Sequence, residues 1–136
     1  MGGFKVIVVD THIIIWDALN PDQLSKKAKK EIDKANQSDG ILFCEISLWE
    51  IAMLISKSKL SVDTSYQKFI KLVFASNFYH YQGITPEIAD KSTSLPAEVN
   101  KDPADRIISA TSIIHKIPLI TADKNLLNAA CIETIW

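Results

Sequence analysis

Acidic side chains follow two apolar runs near opposite ends of this chain, where carboxylates could bind a metal ion or transfer protons. Asp10 comes directly after the β-branched run Val6–Val9, and Asp123 comes just after the apolar segment 119–121. Val6–Val9 is too short for a helix and apolar on both faces, which predicts a buried parallel strand. In open α/β sheets, ligands bind beyond the carboxyl ends of the strands. We therefore expect Asp10 and Asp123 to be neighbours at that edge of a sheet.

Three further acids lie where helices are predicted to begin. Glu50 has apolar residues one helical turn away on either side, and such a carboxylate is costly unless it is paired or bound to a metal. The alternative is a capping box, in which Glu50 accepts the backbone N–H of Ser47. Asp102 and Asp105 flank Pro103 in a run of the same form, in which Asp105 could close the box. We expect Asp102 to cap or support its helix and Asp105 to act as a ligand.

Four acids meeting at one edge are hard to explain as purely structural. Clustered carboxylates repel one another, and without a cation some of them stay protonated. Mg²⁺ and Mn²⁺ prefer oxygen ligands, lower the pKa of a bound water and neutralise charge on a scissile phosphate. Taken alone, each strand-end aspartate is as well explained as a cap or turn residue. The predicted catalytic and metal-binding residues are Asp10, Glu50, Asp105 and Asp123, with Asp102, Thr11 and Thr121 in support.

Strands and helices are predicted to alternate, which favours a parallel sheet with helices on both faces. After the first strand, further strands are predicted over residues 41–44, 78–82, 118–121 and 132–135. Capping residues mark helix starts at Thr11, Ser25, Ser47, Thr85 and Asp102. Apolar spacing over residues 65–75 predicts another helix, and a short one begins at Lys124. Without repeats or linkers, residues 1–136 are expected to form one α/β domain.

Charge and cysteine content narrow the classes of protein that fit. The net charge of −1 excludes a global basic field of the kind that nucleic-acid binders carry. The lysine-rich helix face over residues 26–34 is either a solvent-exposed surface or a surface that binds the phosphate backbone of a nucleic acid. Cys44 and Cys131 form neither a metal motif nor a disulfide framework, which is typical of a reducing cytoplasm. We expect no signal peptide, no membrane span and a cytoplasmic location.

Other catalytic motifs are missing from the sequence. The three histidines do not have zinc-ligand spacing. A solvent or capping position is favoured for His12, with a position lining the site as the alternative. There is no glycine-rich phosphate loop and no G-x-S-x-G elbow. Trp16, Trp49 and Trp136 are expected in the core or at an interface rather than as platforms for bases. The functional prediction therefore depends on the acidic residues.

Four segments occur in a characteristic order: Val8–His12, Ile46–Glu50, Asp102–Thr111 and Leu119–Asp123. In this order they resemble PIN domains, and most closely the VapC-type toxins of prokaryotic type II toxin–antitoxin systems. The run Asp-Pro-Ala-Asp-Arg is the most specific piece. The resemblance covers essentially the whole chain, including the terminal residues 134–136.

The resemblance implies a PIN-like three-layer α/β fold, with a central parallel sheet flanked by helices. It also implies an endoribonuclease that uses Mg²⁺ or Mn²⁺ to hydrolyse RNA phosphodiester bonds, commonly as a homodimer neutralised by a cognate antitoxin protein. The chain departs from the family at Cys44-Glu45, where Ser-Ala is common, and this puts a local hydrogen bond in question. The residues that match the acidic metal positions are Asp10, Glu50, Asp105 and Asp123, with Asp102 as an accompanying acid.

Two other functions compete with a nuclease. A phospho-acceptor receiver domain also has acids at strand ends, but it needs a pair of acids after the first strand and an aspartate after a central strand. This chain has the single Asp10 and no aspartate directly after residues 41–44. The second alternative is a PIN-fold binding module without catalytic activity, and the presence of all four acids argues against it.

Overall fold

The structure, a computed structural model, describes residues 6–136, so Phe4 and Lys5 at the start of the first apolar stretch lie outside the described residues. The strands are β1 (Ile7–Val9), β2 (Ile41–Cys44), β3 (Tyr79–Gln82), β4 (Leu119–Ile120) and β5 (Thr134–Ile135). The α-helices are α1 (Thr11–Leu19), α2 (Lys26–Asn36), α3 (Glu45–Ser56), α4 (Tyr66–Ser76), α5 (Pro86–Thr93), α6 (Pro103–His115) and α7 (Lys124–Asn128). A short 3₁₀ turn, Pro21–Gln23, joins α1 to α2.

The five strands form one parallel sheet in the order β3-β2-β1-β4-β5. The chain builds outward from β1 to β3, and then returns to place β4 on the other side of β1. Val8 is therefore opposite Leu42 on one side and Leu119 on the other. Such a reversal creates a crevice beyond the carboxyl ends of the two central strands. Asp10 and Asp123 follow these two neighbouring strands, β1 and β4.

Helices cover both faces of the sheet, and successive β1 residues point to opposite layers. Ile7 and Val9 belong to one core cluster, which includes apolar residues of α1, α2, α3 and α4. Val8 belongs to a second cluster, which includes Ile108 of α6 and Leu126 of α7. This confirms the predicted three-layer α/β fold with a central parallel sheet. Among residues 6–136, no helix is both long and apolar enough to cross a membrane.

Several helix caps form where the sequence predicts them. Ser25, Thr85 and Asp102 each accept a backbone N–H in the first turn of their helices. The cap of α1 was predicted at Thr11, but it is Asp10, because β1 passes directly into the helix and the carboxylate accepts Ile13 N–H. The strands at residues 6–9, 78–82, 118–121 and 132–135 are all shorter than predicted.

The predicted start of helix α3 is wrong, and the predicted buried face of α6 is only partly correct. Helix α3 begins at Glu45, two residues before Ser47, because β2 runs into it without a loop. The pattern of Ile107, Thr111 and Ile114 predicts the buried face of α6; Thr111 is buried, but the two isoleucines are only half-buried. The buried residues of α6 are mostly small: Ala104, Ile108, Ser109, Ala110, Thr111 and Ser112.

Gly40 makes the turn into β2 with a φ of +90°, a conformation that side chains disfavour. A Cβ here would lie 2.6 Å from the carbonyl oxygen of Phe78, which is held in place by Ile41 N–H at 2.9 Å. We therefore expect Gly40→Ala to lower the free energy of unfolding by more than about 1 kcal/mol. Urea denaturation should show a lower midpoint with an unchanged slope.

Gly83→Ala is the matched control for this prediction. At Gly83 the nearest atom to an added Cβ is a carboxylate oxygen of Glu45 at 3.4 Å, an ordinary contact. This substitution should leave the urea midpoint close to that of the wild type. Equal midpoints for the two variants would contradict the role given to Gly40.

Candidate metal and active site

A cavity of about 340 Å³ opens at the carboxyl edge of the central strands. All five acids singled out in the sequence line it, although they come from four separate elements or their ends. Neither lysine nor arginine is among its lining residues. The lining consists of Asp10, His12, Trp16, Glu50, Asp102, Asp105, Ala122 and Asp123. The cavity therefore gathers negative charge with little positive charge in its wall.

Asp10 lies at the base of the cavity and is the most buried of the acids, with 6% of its surface exposed. One carboxylate oxygen accepts Ile13 N–H at 3.1 Å, and the other accepts the hydroxyl of Thr121. Burial raises the pKa of Asp10, although these hydrogen bonds and the nearby His12 oppose the shift. Each carboxylate oxygen has two lone pairs, so both oxygens can accept a further contact.

Thr121 connects two of the acids, whereas Thr11 does not contact a carboxylate in the structure. The Thr121 hydroxyl donates to Asp10 and accepts Asp123 N–H at 3.0 Å. Thr11 was predicted to support the site directly, but its hydroxyl hydrogen-bonds Ser47 Oγ at 2.9 Å within the buried junction of α1 and α3. Thr11 thus fixes the packing of the helix that carries Glu50.

Glu50 lies in the second turn of α3, half-buried at the cavity wall. The capping box with Ser47 is wrong, because the helix begins two residues earlier and Ser47 is a buried interior position. Cys44 occupies the N-cap position, and its side chain makes no capping hydrogen bond. Burial raises the pKa of the Cys44 thiol to about 12, so it stays protonated. A capping role therefore does not explain why Glu50 occurs at this position.

Asp102 and Asp105 stand at the first turn of α6 with different surroundings. Asp102 is the N-cap and accepts Asp105 N–H at 3.0 Å, as predicted. Asp105 does not close a capping box, because Asp102 N–H is taken by Asn100. The Asp105 carboxylate instead accepts Asn100 Nδ2 at 3.0 Å. Burial raises the pKa of Asp105 to about 6, with smaller contributions from Asp102, Asp123 and Asp10.

Asp123 caps the short helix α7 with one carboxylate oxygen. That oxygen accepts Asn125 N–H at 2.9 Å and Leu126 N–H at 3.2 Å. The capping interpretation of Asp123 is therefore correct, but it does not exclude a second role, because Asp123 also lines the cavity. The same holds for Asp10, which caps α1. Both strand-end aspartates hold a helix and face the shared space.

The sequence did not reveal several residues that shape this site. Asn100 and Asn125 hydrogen-bond the acids of α6 and α7. His12 is exposed to solvent, as expected, and it also lines the cavity, which was the alternative left open for it; its ring lies 5.9 Å from that of Trp16. The sequence did indicate a position near the site for His12. It comes two residues after Asp10, in the first turn of the helix that follows the strand, so it stays near the same edge of the sheet. The asparagines gave no comparable signal.

The chemistry of the donors fits a divalent metal ion. All the charged donors are carboxylates, which suit Mg²⁺ or Mn²⁺ rather than a soft metal. No lysine or arginine neutralises them: in the part of the chain from residue 6 onward, the one ion pair is Lys34–Glu31 on α2. As placed, no three histidine, cysteine or acidic side chains of the described residues come close enough to enclose a metal. Binding would therefore require side-chain movements within the cavity.

Comparisons with known proteins agree with this geometry. The family model for the PIN domain matches residues 7–131. Ribonuclease VapC22 of Mycobacterium tuberculosis is 30% identical over 120 residues, which is 88% of each chain. A chain in the crystal structure of VapBC2 from Rickettsia felis, bound to a DNA fragment from their promoter, is 12% identical with a TM-score of 0.71, covering 96% of this chain and 97% of that one.

The crystal structure of FitAcB from Neisseria gonorrhoeae gives a TM-score of 0.67 at 16% identity, covering 95% of this chain and 96% of the other. These structural matches concern the fold, and the family match covers nearly the whole chain. The chain belongs to the PIN domain family, and among its members it is similar to the VapC group. The receiver-domain alternative is therefore wrong.

Metal-free protein should lose stability as pH rises through the titration of Asp105. Its pKa is raised from 3.8 to about 6 in the folded state, so the folded protein holds a proton that the unfolded chain has lost. The contribution of Asp105 to stability should therefore fall between about pH 4 and about pH 6 and be constant above that range. Urea denaturation of chelator-treated protein across this range would measure the effect, which the Asp105→Asn variant should flatten.

Asp102→Asn serves as the control, because asparagine is an equally good N-cap and Asp102 is exposed. This variant should keep most of the pH dependence of the wild type. A wild-type stability that rises over the same pH range would contradict a protonated Asp105 in the metal-free protein.

Proposed function

We propose that this protein is a VapC-type endoribonuclease that hydrolyses RNA phosphodiester bonds with Mg²⁺ or Mn²⁺, as the toxin of a toxin–antitoxin pair. The observation that carries the proposal is the set of five acids lining one cavity without a neutralising lysine or arginine. Membership of the PIN family and the similarity to a protein named as a ribonuclease support it. The free Cys44 and Cys131 suit the cytoplasm, which we propose as its location.

Asp10, Glu50, Asp105 and Asp123 are the residues that we assign to the metal. A divalent cation held by them would supply a water of lowered pKa and would neutralise charge on the scissile phosphate. The residues of the protein itself would position these groups. Asp10, fixed by Ile13 N–H and Thr121, keeps a constant position at the base of the cavity.

Glu50 is the residue best placed to orient the attacking water or take its proton. It lines the cavity from α3, and the structure gives it no capping role. A general base must reach the proton that it removes and must be ionised at the working pH. Asp102 is exposed at the start of α6, where it can support Asp105 through the helix cap. Thr121 holds Asp10 and the backbone of Asp123 together.

Partner proteins form the second part of the proposal. The structural relatives include a toxin–antitoxin complex from Klebsiella pneumoniae, which supports a cognate antitoxin for this chain as well. Basic side chains of such a partner would complement the acidic cavity electrostatically and block it. We also propose a homodimer. Trp49, with 60% of its surface exposed, is the most exposed large apolar side chain of the described residues.

RNA cleavage is the direct test of the nuclease. Purified wild-type protein with Mn²⁺ should cut RNA at defined positions, and Asp10→Asn should not. Sequencing RNA ends after induced expression of both proteins would locate the cuts in cells. Glu50→Gln has nearly the same shape without the charge, so its cleavage rate should fall by about 10²–10⁴-fold, as is typical on losing an acid–base group. Its metal-free melting temperature should hold or rise, because a repelling charge has been removed.

Glu45→Gln is the matched control, because it lies on the same helix outside the cavity. Its carboxylate accepts Ile84 N–H at 2.7 Å, which glutamine can also do, so cleavage should be unchanged. Near-wild-type cleavage by Glu50→Gln at saturating Mn²⁺ would remove Glu50 from the catalytic residues. Intact RNA and normal growth with folded wild-type protein would instead favour a binding module without catalysis.

Self-association should depend on the apolar groove that contains Trp49. This groove of about 360 Å³ adjoins the acidic cavity, because Glu50 and Asp102 line both. Its apolar lining is completed by Ile46, Met53, Pro103 and Ala104, and aromatic side chains in such grooves are common at protein interfaces. We expect wild-type protein to sediment as a dimer and Trp49→Glu to sediment as a monomer. Leu72→Glu, at an exposed position on α4, should remain a dimer. A dimeric Trp49→Glu protein would place the interface elsewhere.

A further inference from the structure

Asn100, in the segment between α5 and α6, hydrogen-bonds in four directions around the site. Its side-chain Nδ2 donates to Asp105 Oδ2 at 3.0 Å, and its Oδ1 accepts Asp102 N–H at 2.9 Å. Its backbone N–H donates to Asn125 Oδ1 at 2.8 Å, and its carbonyl oxygen accepts Arg106 Nη1 at 3.1 Å. One residue therefore links both acids of α6 to the neighbouring helix.

Arg106 fixes the segment that carries Asn100. Its Nε donates to Ser92 O at 2.9 Å and its Nη2 to Leu95 O at 3.0 Å. Its Nη1 is shared between the carbonyl oxygens of Val99 and Asn100, both at 3.1 Å. The guanidinium thus holds four main-chain carbonyls and, among the described residues, pairs with no carboxylate. The backbone at Asn100 is held before any ligand binds.

Asn125 extends this network to the last of the acids. Its backbone N–H donates to Asp123 Oδ1 at 2.9 Å, and its Nδ2 donates to Glu98 O at 2.9 Å. Because its Oδ1 accepts Asn100 N–H, the two asparagines connect Asp105 on α6 with Asp123 at the start of α7. The connection runs outside the cavity, since neither asparagine lines it.

We propose that Asn100 is a positioning residue for cation binding, which orients Asp105 and, through Asn125, sets its placement relative to Asp123. The inference rests on the metal site of the proposed function. An amide N–H fixes the orientation of a carboxylate without cancelling its charge, whereas a lysine or arginine in that position would compete with the cation. Carboxylate ligands generally depend on such hydrogen-bonding partners, and their loss weakens metal affinity about 10–100-fold.

Asn100→Ser separates the orienting contact from the local turn. A serine hydroxyl can still accept the N–H two residues on, but it is too short to reach Asp105. Isothermal titration of the metal-free protein with Mn²⁺ alone, without RNA, should show binding about 10–100-fold weaker than that of the wild type. Urea denaturation in chelator should show only the modest loss expected for one missing hydrogen bond.

Asn77→Ser is the matched control, because Asn77 makes the same type of contact away from the cavity. Its Nδ2 donates to Asp17 Oδ2 at 2.7 Å, and its Oδ1 accepts from Asn36 at 2.8 Å. We expect this variant to lose a similar amount of stability and to bind Mn²⁺ as tightly as the wild type. A purely structural role for Asn100 predicts the same result for both variants.

Three results would overturn the inference: wild-type protein that binds no Mn²⁺, an Asn100→Ser protein with wild-type affinity, or equal weakening in the Asn77→Ser control. Should Asn100→Ser not fold, Asn125→Ser breaks the link to α7 and should still weaken Mn²⁺ binding, so that unchanged affinity there counts against the inference. Wild-type protein that binds Mn²⁺ but leaves RNA intact would contradict the nuclease alone, since the titration contains no RNA.

Discussion

The burial of the Asp10 carboxylate is the constraint on which the rest of the site depends. A charge removed from water must be hydrogen-bonded or neutralised. The fold supplies Ile13 N–H from α1 and the Thr121 hydroxyl from the end of β4, but no lysine or arginine lines the cavity. Both donors are neutral, so they fix the carboxylate without compensating a negative charge on it, and burial raises its pKa. A cation binding there would relieve a cost that the metal-free protein carries.

Three of the other acids follow a common pattern in which one oxygen makes a hydrogen bond that stabilises the fold. Asp102 and Asp123 each use one oxygen to cap a helix, and Asp105 uses one to accept from Asn100. Caps at helix N-termini place acids where the helix dipole favours negative charge. The fold therefore tolerates several acids at one edge because helices begin there. The same position at a helix start therefore gives each of these residues both a structural role and a place at the candidate site.

Sequence patterns predicted the elements that depend on local chemistry and failed where contacts are distant. The apolar runs and caps placed Asp10 and Asp123 at neighbouring strand ends, because parallel strands and N-caps have strong local signals. The capping box at Ser47 was wrong because tertiary packing started α3 directly at the end of β2. Asn100 was missed because its partner Asn125 is 25 residues away, and an asparagine in a polar loop is common. The strand and helix pattern was therefore predictable, but the positioning network was not.

The hydrogen bond between Asp10 and Thr121 joins residues 111 positions apart in the chain. Contacts of such long separation form late, because closing a long loop costs entropy before the contact contributes. The centre of the site thus exists only once β4 has been synthesised and has paired with β1. A nascent or truncated chain that ends before β4 would hold Asp10 without its partner. The order of the strands therefore delays assembly of the cavity until β4 has been synthesised.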